Sequence, residues 1–180
     1  MTVAQKTKAT GKNAEKPLKT AKVDRAVRKF IQKLEDDYPQ FHFEQGKEEH
    51  WSPQTQTIMY NPAQDYQRLT FGTLHEVAHA LLGHADYQSD IELIKLEAKA
   101  WELAAEIGKK YSVNISFDHI QNCLDTYRDW LHGRSKCPTC GIHTLQDSPA
   151  SYKCHNCAAG WKVSSGKFVR SYRRNTAKHL

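Results

Sequence analysis

The sequence predicts an α+β fold, and three observations lead to that reading. Four stretches repeat apolar residues at helical spacing, two short segments alternate or are β-branched, and the last quarter holds four cysteines in two close pairs without helical period.

The first helix follows from Val23, because Val23, Ala26, Val27, Phe30, Ile31 and Leu34 share one face and Tyr38-Pro39 ends the pattern. Phe41 and Phe43 then alternate with His42 and Glu44 as a strand, and Thr57 to Tyr60 reads as a second strand closed by Asn61-Pro62. The second helix is expected over 70–82, with Thr70 as N-cap, Leu69 packing on Leu74 as a staple, and Gly83 as the stop. Leu74, Ala78, Leu81 and Leu82 would hold one side of it in a core. The third runs over 90–107 with Ile94, Ala98, Trp101 and Ala105 on one face, ending at Gly108. The last starts at Asp118, with Gln121 three residues on, and puts Ile120, Cys123, Leu124, Tyr127 and Leu131 on one stripe. Cys123 on that stripe reads as a small buried residue.

At 180 residues the chain has room for one ordinary domain with one small appendage. The expected division is a disordered basic tail over 1–22, the main domain over 23–133, the cysteine-rich appendage over 134–172 and a basic tail over 173–180. Charge supports it. The net charge is +6, yet residues 1–22 carry six lysines against Glu15 alone and residues 162–180 carry six basic residues with no acid. The middle holds fourteen basic and nineteen acidic residues. Basic ends of this kind make nucleic acid a candidate partner through the tails and the appendage, the more so where Trp161, Phe168 and Tyr172 lie among the C-terminal cations. No stretch approaches the roughly 18 apolar residues of a membrane span, and the start lacks the apolar core of a secretory signal. These features predict a cytoplasmic protein without membrane contact.

His75-Glu76-Val77-Ala78-His79 forms an H-E-x-x-H motif inside a segment that is independently helical. Four residues apart on a helix, both imidazoles project from one face and can share a metal ion, with Glu76 beside them to take a proton from metal-bound water. A catalytic zinc takes three protein ligands and leaves a position open for water. Six residues past His79 stands Ala85, so a third histidine at that spacing is excluded, and His84 falls one residue early, beyond Gly83, as a helix-end or outer histidine. Glu92, Glu97, Glu102 and Glu106 then compete for the third place. Glu97, next to the buried stripe near Trp101, has the better claim.

The segment TIMYNPAQDYQRLTFGTLHEVAHALLGH followed by LEAKAWELAAE resembles the ImmA/IrrE family of zinc metallopeptidases. The matching residues are Asn61-Pro62, Arg68, Phe71, His75-Glu76-His79, Leu82-Gly83-His84 and Glu97-Ala98 with Trp101, while Lys99 stands where that family usually has Asn. The resemblance covers roughly residues 25 to 132. It implies zincin-type active-site helices, zinc ligation by His75, His79 and Glu97, and Glu76 as the catalytic carboxylate. The implied activity is hydrolysis of peptide bonds in an intracellular protein substrate, a regulator among the candidates. Thr57 to Tyr60 would be the sheet edge that takes an extended substrate. Tyr60, Tyr111, His119 and Tyr127 compete as the donor that stabilises the oxyanion.

Cys137 and Cys140 form one C-x-x-C pair, and Cys154 and Cys157 another, thirteen residues on. Each pair builds a knuckle that presents two thiolates to one side, and two knuckles complete a tetrahedral structural zinc site. The sequence thus calls for two zinc ions, one catalytic and one structural in a small zinc ribbon. Two other readings stand beside the peptidase. One is a nucleic-acid-binding or regulatory zinc-ribbon protein with a non-catalytic protease-like scaffold. The other is a protease of DNA-bound proteins similar to the SprT-like family, which also joins H-E-x-x-H to a ribbon but takes a histidine as third ligand.

Overall fold

Of the apolar face expected of the first helix, four residues are buried, Ala26 is exposed and the Val23 side chain lies outside the described residues. Val27, Phe30, Ile31 and Leu34 of α1 (Lys16–Asp37) enter the larger core. The computed structural model describes residues 16–164 and 173–175, with side chains described over 25–164. The helix begins at Lys16 rather than Val23, so part of the expected leader is helical. No helix breaker separates Lys16 from Val23 except Pro17, which falls in the first turn, where a missing N–H costs nothing. Residues 1–15 lie outside the described residues, as do Phe168 and Tyr172 of the C-terminal basic stretch.

A three-stranded sheet follows, formed by β1 (His42–Gln45), β2 (His50–Ser52) and β3 (Thr57–Tyr60) in the order β1-β3-β2. β3 pairs parallel with β1 and antiparallel with β2, so it is the central strand. The expectation that Thr57 to Tyr60 forms an edge is therefore corrected. The short strand β2, which lacks an apolar period long enough to read in sequence, takes that edge.

α2 (Tyr66–Leu81) packs on this sheet and on α3 (Asp90–Lys110), and α4 (Phe117–Ser135) packs on α3. The caps differ from the expected ones. Asp65 caps α2 by accepting from Arg68 N, five residues before the expected cap, while Thr70 lies inside the helix with its hydroxyl on the Gln67 carbonyl. Ser116, rather than Asp118, caps α4 through His119 N. Gly83, at φ +64, ends α2 as predicted. Leu81 and Leu82 are exposed, contrary to the expectation that they hold one side of α2 in a core, while Ala78 and Ala80 of the same turn are buried.

The buried face of α3 runs through Glu97, Ala100, Trp101, Ala104, Ile107 and Gly108, rotated from the predicted stripe so that Ile94, Ala98 and Ala105 sit at its margin. Gly108 lies inside the helix instead of ending it. Its reason is space: a Cβ there would meet the Val113 carbonyl oxygen at 2.6 Å. At the same end Tyr111 Oη donates to Asp37 Oδ2 at 2.6 Å and Lys110 Nζ pairs with Asp37 Oδ1 at 3.0 Å, tying α3 to α1.

The cysteine-rich part is a second sheet, β4 (Gln146–Ser148), β5 (Ser151–Lys153), β6 (Gly160–Val163) and β7 (Arg173–Asn175), paired antiparallel in sequence order. Arg173–Asn175 was expected in a basic tail, and the structure gives its backbone a place beside β6 instead. Cys137, Tyr152, Cys154, Ala159, Trp161 and Val163 form its own small core.

Two outcomes follow. Gly108→Ala should destabilise the chain by about 1–3 kcal/mol in urea unfolding despite alanine's better helix propensity, since the added methyl meets backbone. The Asp37 carboxyl is held below its ordinary value of 3.8 by the Tyr111 hydrogen bond and then by Lys110. Its stabilising effect is thus present above the unfolded value and lost as pH falls through the folded one. Asp37→Asn should flatten that part of the acid unfolding profile.

Candidate metal centres

His75 and His79 stand one turn apart on α2, and Glu97 faces them from α3. His75 Nε2 lies 3.1 Å from Glu97 Oε2 and 3.1 Å from His79 Nε2, and His79 Nε2 lies 3.6 Å from Glu97 Oε1. Of the four competing glutamates only Glu97 is brought to the histidines. Glu102 and Glu106 are exposed, and Glu92 accepts from Gln88 N at 2.7 Å.

Helix packing explains the placement. Val77 and Ala78 are fully buried beneath the motif, which fixes the rotation of α2, and the Trp101 ring stacks on His75 at 4.0 Å with planes 21° apart. Burial alone would raise the Glu97 pKa, but hydrogen bonds from His75 and His79 outweigh it and hold the carboxyl well below its usual range. Three donor atoms thus converge, two imidazole nitrogens and an anionic oxygen, all within 4.8 Å of one another. Two imidazole nitrogens facing each other at 3.1 Å are mutually satisfied only by a proton or a cation between them. A tetrahedral dication with one open position fits this set, and the chemistry of the donors suits zinc.

The structure adds contacts that the motif did not reveal. Trp51 N, on the β2 edge, donates to Glu76 Oε2 at 2.8 Å, so the sheet holds the carboxylate of a residue that lies between the two histidines on α2. The Trp51 indole donates to the His84 carbonyl at 2.9 Å, and His84 Nδ1 meets His79 Nδ1 at 2.9 Å. His84 is therefore an outer partner of His79, fixing which nitrogen faces the site. Burial first, and then His79, keep the His84 pKa below its usual value.

The four oxyanion candidates separate. Tyr60 belongs to the core, and Tyr111 is bound to Asp37 about 21 Å along the helix from Glu97 at 1.5 Å per residue. His119 packs edge-on against Phe71 and Trp101, near His75. Tyr127 comes nearest the chemistry. Burial first, then the charge and hydrogen bond of Glu97, with Glu76 also in range, raise its pKa and keep the hydroxyl protonated.

Residues 35–109 match the Peptidase_M78 family model, described as the IrrE N-terminal-like domain. No curated protein and no solved structure gives a match. The IrrE-like segment spans the sheet, α2 and nearly all of α3, and so holds His75, Glu76, His79 and Glu97 together. It supports a metallopeptidase-like domain. Among the described residues no helix is long and apolar enough to cross a membrane.

Beyond that segment, Cys137, Cys140, Cys154 and Cys157 form a second cluster compatible with a zinc ribbon. Cys137 Sγ lies 3.6 Å from Cys157 Sγ and Cys140 Sγ 3.5 Å from Cys154 Sγ, near the ~3.8 Å edge of a tetrahedron with zinc–sulfur bonds of about 2.3 Å. The knuckles repeat one another. Gly141 N bonds the Cys137 carbonyl and Ala158 N the Cys154 carbonyl, both at 3.0 Å, and both residues have positive φ. Backbone Ile142 and the Asn156 side chain lower Cys140 to about 6, while burial and the three other thiols push Cys157 up to about 12, so four thiols this close share their protons unequally until a cation replaces them. The fifth cysteine, Cys123, is half-buried beside His119 Nε2 at 3.5 Å.

Ala158, at φ 58, occupies the left-handed conformation that its counterpart Gly141 takes without a Cβ penalty. Ala158→Gly should stabilise the ribbon by about 1 kcal/mol, read as slower metal release to a chelator, and Gly141→Ala should do the reverse.

Proposed function

We propose that the protein is a zinc-dependent endopeptidase acting on a protein substrate, with one catalytic zinc held by His75, His79 and Glu97 and one structural zinc held by the four ribbon cysteines. The observation that carries this reading is the convergence of those three donors beside a carboxylate, Glu76, that a sheet edge holds in place. A thiolate-rich structural site suits a reducing compartment, in keeping with a cytoplasmic protein.

When bound, the catalytic zinc supplies Lewis acidity toward water and the scissile carbonyl. Glu76 is anchored through Oε2 by Trp51 N, which leaves Oε1 to take the proton of the attacking water and return it to the departing amine. Tyr127 keeps its proton beside Glu97 and Glu76, and its one O–H, which bonds Glu97 here, would have to turn from that carboxylate to the substrate to stabilise charge that develops on the carbonyl oxygen. The β2 edge, rather than β3, offers backbone groups to an extended substrate. The bond from Trp51 N to Glu76, on the helix that carries the two histidines, supports this reading of the β2 edge.

Native mass spectrometry of the desalted full chain should find two zinc ions, falling to one in Glu97→Ala. Incubation with a denatured-proteome peptide library, followed by sequencing of new termini, should reveal cleavage that Glu76→Gln lowers by about 10²–10⁴-fold while both metals stay bound. Equal cleavage by Glu76→Gln would overturn the enzyme.

A further inference from the structure

We infer that the ribbon is a clamp on the helix that supplies Glu97, so that Gln146 and Tyr152 act as positioning residues for the His75–His79–Glu97 site. The inference rests on the peptidase reading above and deepens it.

Asp90 opens α3 and is 2 % exposed, an unusual place for a carboxylate at a helix start. The ribbon supplies two of its partners. Gln146 Oε1 accepts from Asp90 N at 2.7 Å, satisfying one of the first-turn N–H groups that a helix cannot satisfy itself, and Tyr152 Oη donates to Asp90 Oδ2. The third partner is Arg134, from the end of α4, whose Nε lies 3.4 Å from Asp90 Oδ2 with both side chains 3 % exposed. Arg134 is in turn held from the ribbon, since the Trp161 indole donates to its carbonyl at 3.0 Å.

Tyr152 stacks on Trp161 with planes 7° apart, and both belong to the small core that contains Cys137 and Cys154. A ribbon of this size depends on its metal for folding. Asp90 and Glu97 are seven residues apart, two turns along one face of α3. The start of the helix is therefore fixed by a metal-dependent fold, and the position of Glu97 relative to α2 follows from where that start is held. Loss of ribbon metal would release Gln146 and Tyr152 together and loosen the third ligand of the catalytic site.

The test loads the full chain with Co²⁺, because a four-thiolate site and a two-histidine, one-carboxylate site absorb differently and can be titrated separately. Gln146→Met with Tyr152→Phe should weaken metal binding at the His75–His79–Glu97 site roughly tenfold, the low end of the ~10–100-fold lost when a ligand's own partner is removed, since these two act through Asp90, with the cobalt–thiolate bands unchanged. Tyr152→Phe alone, which keeps the ring and the stack, should show a smaller loss of the same sign, and decides the matter if the double variant does not fold. Unchanged affinity at the histidine site with intact thiolate bands would overturn the clamp. That outcome is distinct from failure of the peptidase, which would show as wild-type protein that binds no metal at His75, His79 and Glu97.

Discussion

A buried anion organises this protein. The Glu97 carboxylate sits between two helices with little access to water, and a charge in such a place is tolerated only with partners close by. His75 and His79 provide them from α2 and Tyr127 from α4. The packing of α2 on α3 is what makes those distances possible. Small buried residues at Ala78, Ala100 and Ala104 keep side-chain bulk low in the buried faces of the two helices, and Trp101 lies flat on His75.

The sheet serves the same centre from the other side. β2 is three residues long and pairs on one side only, yet Trp51 uses its backbone N–H on Glu76 and its indole N–H on the carbonyl of His84. One residue thus fixes the Glu76 carboxylate and the segment that carries the outer partner of His79. Phe41, edge-on to Trp51 at 5.3 Å, holds the indole against the core.

Those relations explain what could be read from the sequence and what could not. His75 and His79 were legible because both donors lie on one helix, where spacing alone sets geometry. Glu97 was less so. A charged residue inside the buried face of α3 shifts the apparent stripe toward Ile94, Ala98 and Ala105, and only pairing with α2 shows the true face. Local competition hid the helix starts, since Thr70 and Asp118 are as good cap residues in composition as Asp65 and Ser116. The β2 edge was invisible because three residues carry no period, and its role depends on Glu76, twenty-five residues away. The cysteine pairs, whose chemistry is fixed by spacing within each knuckle, were plain.

The seat of the ribbon illustrates a wider point about buried charge. Asp90 and Arg134 are both nearly sealed from water at 3.4 Å, a separation without the alignment of a good hydrogen bond, so their attraction does little more than offset desolvation. An apolar contact of equal area would hold the ribbon at least as firmly. What the polar arrangement adds is direction. The N–H of Asp90 meets one acceptor, its carboxylate meets one hydroxyl, and the carbonyl of Arg134 meets one indole, so a ribbon rotated or shifted by a residue would leave buried groups unpaired. Fixing one orientation at the start of α3 matters here because two turns on, along the same face, the helix must deliver a carboxylate to two imidazoles on a neighbouring helix.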